Sequence, residues 1–326
     1  MKTLITGATG FVGSRLTELL VERGAEATCL VRKTSDLRWI ENLPVRRVVG
    51  ELSQPETLKA AMEGQERVFH LAAVLKAPSL QVFDAVNRQG TFNAMQAWTQ
   101  YGDPSGRFVY CSSLAAAGPT QRGRRINETH PPRPISDYGT TKLAGEEAVR
   151  QLAGGRLSYA VVRPPAVYGP RDTDIRIFFQ LIRNGAAPRL GRGDREIDIL
   201  YVDDLAEALI LAAERPEAHR QTYFVNDGGT HTWESMSEGI ASALGVRPLK
   251  IPIPMALAKL AARASELLST SGKTPTFNRR KLNEMAQEAW ICDASKARRE
   301  LGFEPKTDAG AGFELTARWY EEHGWK

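Results

Sequence analysis

Eight residues near the start of the chain, TGATGFVG (6–13), constrain its fold more than any other stretch. They follow a short apolar run, KTLIT (2–6), and open FVGSRLTELLVERG (11–24), whose apolar residues recur at helical spacing until Gly24. A glycine triplet alone is common in loops, but one lying between a strand and an amphipathic helix has the context of a nucleotide turn. Gly7 and Gly10 let the backbone turn tightly and approach a phosphate, and Gly13 lets helix and strand pack closely. Free N–H groups at the helix start then bind a pyrophosphate. A dinucleotide site is expected here, with Gly7, Thr9, Gly10, Phe11, Val12 and Gly13 as its contacts.

The same alternation continues. Strands are predicted over EATCLVR (26–32), RRVVGEL (46–52), RVFHLAA (67–73), GRFVYCSS (106–113) and LSYAVVRP (157–164), with helices over 55–64, 81–101 and 137–153. Strands alternating with helices imply a parallel sheet covered on both faces, an α/β fold of Rossmann type, doubly wound. Past residue 165 the rhythm changes to a helix at 175–185, a strand entering a helix at 199–214, a strand at 222–227 and a helix at 233–245. The Ala-, Leu-, Pro- and Met-rich segment 251–285 reads as part of a smaller, mostly helical C-terminal substrate lobe. Residues 1–165 with about 197–228 form the expected dinucleotide domain, interleaved with a lobe from 166–196 and 229–326. Ligands of such sheets bind at the carboxyl ends of the strands.

Charge and cysteine usage narrow the function. The net charge of +5 comes from 43 cations against 38 anions, a mild excess. The densest basic cluster, RGRR (122–125), lies in a Gly/Pro-rich loop without aromatics and reads as solvated, so no nucleic-acid partner is expected. Cys29, Cys111 and Cys292 are far apart and the five histidines are scattered, giving neither a metal spacing nor a disulfide framework. The chain enters a strand directly and has no apolar run long enough to span a bilayer, so a cytoplasmic protein without an integral membrane segment is expected.

The second strand ends in Arg32 and Lys33, where an NAD site usually has an acid, and the nearest acid is Asp36. A guanidinium matches a 2′-phosphate in charge and fork geometry. NADP is therefore expected, with NAD as the alternative if Arg32 and Lys33 merely cap the strand and Asp36 reaches the ribose.

Further motifs are GEL (50–52), HLAA (70–73), VNRQGTFNAMQA (86–97), FVYCSS (108–113), YGTTK (138–142), RPPAVYGP (163–170), VDDLAEAL (202–209) and CDASKARRELGFEP (292–305). Together with TGATGFVG they resemble the extended short-chain dehydrogenase/reductase family over nearly the whole chain. The resemblance implies Tyr138 as catalytic acid/base, Lys142 on the nicotinamide ribose lowering the Tyr138 pKa, and Ser113 on the reacting oxygen. It also implies Glu51 and Leu52 near the adenine, Leu71, Ala72 and Ala73 lining the cofactor with Asn87 nearby, and Pro164 to Val167 beside the nicotinamide amide. A small-molecule substrate and a homodimer through the helices near 81–101 and 137–153 follow from it too. The chemistry agrees: reducing a ketone leaves an alkoxide that needs a proton, and tyrosine, with a pKa near 10, needs a cation such as Lys142 to exchange one near neutrality. On a helix, positions 138 and 142 share a face.

Members of that family include sugar-nucleotide epimerases and dehydratases as well as reductases of apolar ketones. In the first group a strand before VDD commonly reads Arg-Asp-hydrophobic, and its arginine grips a diphosphate. Here Ile197 takes that place, with Arg192 and Arg195 as neighbouring substitutes, and Leu114 and Ala115 follow Ser113 where dehydratases carry acids. IPIPMALAKLAARASELLS (251–269) and the segment after it resemble 3β-hydroxysteroid dehydrogenase and dihydroflavonol reductase-like proteins. That stretch also reads as core packing, a dimer face or a shallow membrane contact, the last opposed by Lys259, Arg263 and Glu266. Tyr168 and Arg171 are expected in the cleft on position alone. The expected activity is an NAD(P)-dependent oxidoreductase of a bulky apolar ketone or secondary alcohol; the alternative is an NAD(P)-dependent sugar-nucleotide epimerase.

Overall fold

Six of the apolar runs become strands of one sheet in a computed structural model that describes residues 1–191, 193–268 and 278–325. They are β1 (Lys2–Thr6), β2 (Glu26–Val31), β3 (Arg46–Val49), β4 (Arg67–His70), β5 (Arg107–Cys111) and β6 (Ser158–Arg163). With Gln221–Phe224 as the seventh, the order across the sheet is Gln221–Phe224, β6, β5, β4, β1, β2, β3, every pair parallel. The chain winds outward from β1 to β3, then returns to the other side of β1 as β4. Beyond the carboxyl ends of β1 and β4 the connections part in opposite directions and leave a crevice.

Three strands stop earlier than their apolar runs. β3 ends at Val49, β4 at His70 and β5 at Cys111. The remaining residues, 50–52, 71–73 and 112–113, leave the ladder at the carboxyl edge and form loops at the crevice. Leu52 and Leu71–Ala73 are thus apolar residues of that edge and not of a paired strand.

Apolar residues cover both faces of the sheet. Leu16, Leu20, Phe69, Val109, Leu205 and Leu209 belong to one buried cluster, and Leu4, Val68, Met95, Trp98, Phe108 and Val161 to a second. The predicted helix at 81–101 is continuous but changes pitch: Leu80–Phe83 runs into a wide π turn, Asp84–Gln89, and then Gly90–Tyr101. Such a turn is a frequent mark of a functional position.

The lobe beyond residue 165 holds more strand than the sequence suggested. Ala166–Tyr168 pairs with Ile199–Tyr201, Ala186–Leu190 with Leu249–Ile253, and Glu196–Ile197 lies between His231–Thr232 and Ala289–Trp290. Of these, Ile199–Tyr201 was expected as the strand entering the helix at 199–214; the others, two to five residues long, are too short to show a period of two and were not expected. A third core, built on Tyr168, Phe179, Ile197, Ile240, Phe313 and Tyr320, supports this lobe.

The reading of RGRR as a solvated loop fails at Arg125. Its guanidinium donates to both carboxylate oxygens of the fully buried Asp198 at 2.9 Å and to the Cys292 and Gly229 carbonyls. Among the described residues no helix is long and apolar enough to cross a membrane. Arg192 and residues 269–277 lie outside the described residues.

Candidate active site

The turn after β1 is built by close approach. Gly7 has φ +77°, and a Cβ there would stand 2.8 Å from the Ala72 amide nitrogen. A Cβ on Gly13 would stand 2.1 Å from the Gly7 carbonyl oxygen, so only glycine lets the first helix, Phe11–Glu22, seat on the turn. Gly10 caps that helix in extended geometry with no side-chain acceptor for its first amides. An exposed helix start with no capping side chain fits the diphosphate of a dinucleotide.

Behind this turn a buried chain of hydrogen bonds ties three elements together. The Ala72 N–H donates to Thr6 Oγ1 (3.3 Å), Thr6 meets His70 Nδ1 (2.7 Å), and His70 Nε2 meets Thr91 Oγ1 (3.0 Å). Thr91 donates to the Asn87 carbonyl at 2.6 Å. Since the Thr91 hydroxyl gives its proton to Asn87, it accepts from His70, which places the ring proton on Nε2 and the Thr6 proton on Nδ1. Complete burial, then the Lys142 charge, holds the His70 pKa down to about 3, so the imidazole is neutral. Asn87, within the π turn, accepts from the Val74 N–H (2.8 Å) and donates to the Val74 carbonyl and Thr141 Oγ1. Its side chain fixes the loop after β4 against the Tyr138 helix.

That helix, Asp137–Ala153, begins where predicted because Ser136 accepts from the Gly139 N–H and Asp137 carries negative charge into the first turn. Tyr138, Lys142 and Glu146 follow at four-residue intervals on one face. Lys142 is 2% exposed; its ammonium donates to the Cys111 carbonyl at the end of β5 (2.5 Å) and lies 4.3 Å from the Tyr110 ring centroid. Burial lowers its pKa to about 8, opposed by the Cys111 thiol and Glu146. Burial raises the Tyr138 phenol well above its ordinary value; the Cys111 thiol adds to this and a hydrogen bond from Ser113 opposes it. The direction is opposite to the lowering expected from Lys142, because burial dominates.

Ser113 follows β5 and caps the short helix Leu114–Ala117, accepting from the Ala115 N–H at 3.1 Å. Its neighbour Ser112 points the other way and donates to Glu146 at 2.6 Å. This separates the two serines that the sequence left adjacent. Glu146 is fully buried and gripped by Arg163 (2.8 and 2.7 Å) and Arg150 (2.7 Å). Burial alone would raise its pKa, but Arg163, Arg150 and Ser112 together hold it below the usual carboxylate value. Pro164, after β6, accepts from the Leu114 N–H at 2.8 Å, while Val167 pairs with Leu200.

The remaining expected contacts sit around the crevice. Leu71, Ala72 and Ala73 are half-buried in the loop after β4. The Glu51 N–H donates to Thr57 Oγ1 (2.9 Å), and the Leu52 carbonyl accepts from Asn93 (2.6 Å). Arg32 and Lys33 are exposed, with no side-chain partner among the described residues, whereas the Asp36 carboxylate is held by Arg38 through its amide (3.1 Å) and Nε (2.5 Å).

Two expected cleft residues are corrected. Tyr168 is fully buried against Phe313, and Arg171, at φ +75°, turns back to Ser14, Glu18 and the Trp39 ring. Arg195, one substitute for the missing diphosphate arginine, donates to the Leu190 carbonyl at 2.5 Å and the Ala286 carbonyl at 3.4 Å; Arg192 is outside the described residues. A depression of about 570 Å³ lined by Glu66, Arg67, Arg107 and Glu214 opens at the amino ends of β4 and β5, the wrong end of the sheet for a ligand of this fold.

Sequence reasoning passed over four residues of this region. His70 entered only as one of five scattered histidines and as the first residue of HLAA, and Glu146 was not singled out; the spacing 138, 142, 146 was the available signal for Glu146. Arg280 pairs with Asp137 at 3.0 Å, and Glu284 carries charge close enough to raise the Tyr138 pKa. Nothing local to the helix Arg279–Met285 signals either of these.

Residues 3–226 match the NAD dependent epimerase/dehydratase family. The chain belongs to that family. It is 32% identical over 323 residues to a ceramide reductase of Caulobacter vibrioides, covering 98% of this chain and 95% of that protein. It is 29% identical to a 4-hydroxy-2-methyl-3-oxo-4-farnesyl-3,4-dihydroquinoline-1-oxide ketoreductase of Stigmatella aurantiaca, covering 93% and 92%. Among solved structures it is similar to the UDP-glucose 4-epimerase of Thermus thermophilus in complex with NAD, at TM-score 0.78 and 25% identity, covering 98% and 99%. The chain is thus a Rossmann-fold oxidoreductase of an NAD-dependent family whose members include reductases and epimerases.

Proposed function

We propose that the protein is an NADP-preferring reductase or dehydrogenase of a bulky apolar ketone or secondary alcohol. The observation that carries this reading is the convergence of Ser113, Tyr138 and Lys142 at the carboxyl end of β5, beside a glycine turn fit for a diphosphate and without a free Arg195 to grip a second one. The dinucleotide, when bound, supplies or takes up the hydride at its nicotinamide.

The protein's own groups do the rest. The buried Tyr138 phenol is held in its protonated form, so in the reducing direction it is an acid, donating to the oxygen that becomes the alkoxide. Ser113 holds the same oxygen by its hydroxyl. Lys142, a buried cation one helical turn from Tyr138, favours the phenolate once the proton has left and binds the nicotinamide ribose. Gly7, Thr9, Gly10, Phe11, Val12 and Gly13 hold the pyrophosphate, and Glu51, Leu52, Leu71, Ala72, Ala73, Asn87, Pro164 and Val167 flank the rest of the cofactor. Arg32 and Lys33 read the 2′-phosphate: their side chains have no partner among the described residues, while Asp36 is occupied by Arg38. The ceramide and farnesyl-quinoline substrates named for two relatives support a large apolar substrate. The protein acts as a homodimer through the helices at 80–101 and 137–153.

The second reading, a sugar-nucleotide epimerase, is favoured by the likeness to the Thermus epimerase. Net cofactor turnover separates the two. Loss of reduced-nicotinamide absorbance over a panel of bulky apolar ketones, faster with NADPH than with NADH, supports the reductase. Binding of both cofactors with no oxidation by any ketone, together with interconversion of a sugar nucleotide, would overturn it.

A further inference from the structure

The helix Met255–Leu268 has two apolar faces, and only one of them meets protein among the described residues. Ala258 and Ala262 are buried with Leu282 and pack against Leu190, Ile253 and Met255. On the other side Leu257 is 58% and Leu260 64% exposed, and Ala261 and Ala264 are exposed too. Spacings of three and four put these four residues on one stripe along the helix. The preceding strand, Leu249–Ile253, adds Leu249 at 75% and Ile251 at 44% exposure. Isolated exposed leucines are ordinary; a continuous apolar stripe with an apolar strand beside it is not.

Charge decides what covers this face. Lys259 and Arg263 are exposed, one helical turn apart beside the stripe, and neither has an ion-pair partner among the described residues. The acid on this helix, Glu266, lies on the same line as Lys259, seven residues on, and is taken by the Arg279 amide (2.9 Å) and Nε (2.7 Å). With Glu266 compensated by Arg279, the charge left without a partner on this helix among the described residues is cationic. Lys259, Arg263 and Glu266, which as sequence argued against a membrane contact, are arranged to favour one. A second copy is the poorer occupant, because a two-fold contact across the stripe sets Lys259 and Arg263 against their own counterparts.

We propose that this face docks on the surface of an anionic lipid bilayer, with Leu257, Leu260, Leu249 and Ile251 in the acyl boundary and Lys259 and Arg263 on the lipid phosphates. The helix has 14 residues, too few to span, so it lies along the surface. Through Leu282 it packs on Arg279–Met285, whose Arg280 grips Asp137 next to Tyr138. The docked face is thus one helix removed from the candidate active site, which suits transfer of an apolar substrate directly out of a bilayer.

The test is flotation of the full chain with phosphatidylcholine vesicles, with and without phosphatidylglycerol, at low and high salt. It uses no ketone, so it succeeds or fails independently of the reductase reading. The wild type should float with the phosphatidylglycerol vesicles, less at high salt, and stay behind with phosphatidylcholine alone. Leu257→Ser with Leu260→Ser, and separately Lys259→Glu with Arg263→Glu, should each reduce flotation at least severalfold while NADPH binding, measured by its fluorescence, is kept. Failure of the wild type to float, or flotation of both variants like the wild type, overturns the proposal. So does a dimer that the leucine variant converts to monomer in sedimentation with no wild-type flotation; a second copy would then cover the face.

Discussion

At the scale of single residues, burial outweighs neighbouring charge. That Tyr138 and Lys142 share a helix face was legible from their spacing, and their expected roles came from the family resemblance, but the sequence contains no measure of burial. Burial raises the phenol and brings the ammonium down to about 8. For Tyr138→Phe, which leaves the ring in place, ketone reduction should fall by roughly 10²–10⁴, the usual worth of a positioned proton donor, with NADPH affinity unchanged. Steady-state rates with fluorescence titration of NADPH check both halves. For Lys142 the sign follows from a folded pKa below the unfolded value of about 10.4. The buried cation costs stability below pH 8, and that cost is relieved as the pH rises from about 8 toward the unfolded value. Activity runs the other way, since the cation is lost above about 8: kcat/KM for reduction should be flat below that pH and fall tenfold per unit above it. For Lys142→Met, Tm at pH 7 should not drop although activity is lost. A variant that melts well below the wild type would show the lysine to be structural.

At the scale of elements, the strand and helix order was readable because a buried parallel strand is a continuous apolar run and a covering helix has a period of 3.6. Side-chain ties between elements were not, because their partners lie far apart in sequence. His70 is the clearest case: positions 6, 70 and 91 meet only after β1, β4 and the helix of residues 80–101 have packed. Its folded pKa, about 3, lies below the unfolded value near 6.5, so the unfolded chain binds the proton more tightly. The stability linked to His70 is therefore complete above pH 6.5 and is lost as pH falls toward 3. Between pH 7 and 5 this one residue should remove about 2 kcal/mol of unfolding free energy. Urea titrations at the two values measure it. His70→Leu should flatten the loss; Thr91 keeps the Asn87 carbonyl, but the buried Thr6 hydroxyl loses the acceptor for its proton, so the variant should be less stable than the wild type at neutral pH while its slope is flatter. An unchanged slope in the variant would assign the acid sensitivity to other groups.

At the scale of the whole molecule, segments far apart in the chain are joined by ion pairs that no local pattern announces. Asp137, one residue before Tyr138, holds Arg280 of the C-terminal lobe at 3.0 Å, and Lys76, in the loop after β4, holds Asp174 at 2.5 Å. Arg280 and Asp174 are about half exposed, so each pair contributes at most about 1 kcal/mol to stability and is weakened by salt. Their effect lies in geometry: the Arg280 pair sets where Arg279–Met285, and with it Glu284, stands relative to Tyr138. For Arg280→Ala the expected result is a KM for a bulky ketone raised severalfold, dinucleotide affinity unchanged and Tm within a few degrees of the wild type. Lys76→Ala should behave alike, and the double variant should exceed either single one, because the pairs secure separate segments of the lobe. None of the proposed dinucleotide contacts lies beyond Val167, so a loss of cofactor affinity in Arg280→Ala would mean that the helix Arg279–Met285 also orders the cofactor site. Equal KM values in all four proteins would leave the ion pairs without a part in substrate binding and shift attention to Glu284, which acts on Tyr138 from the same helix.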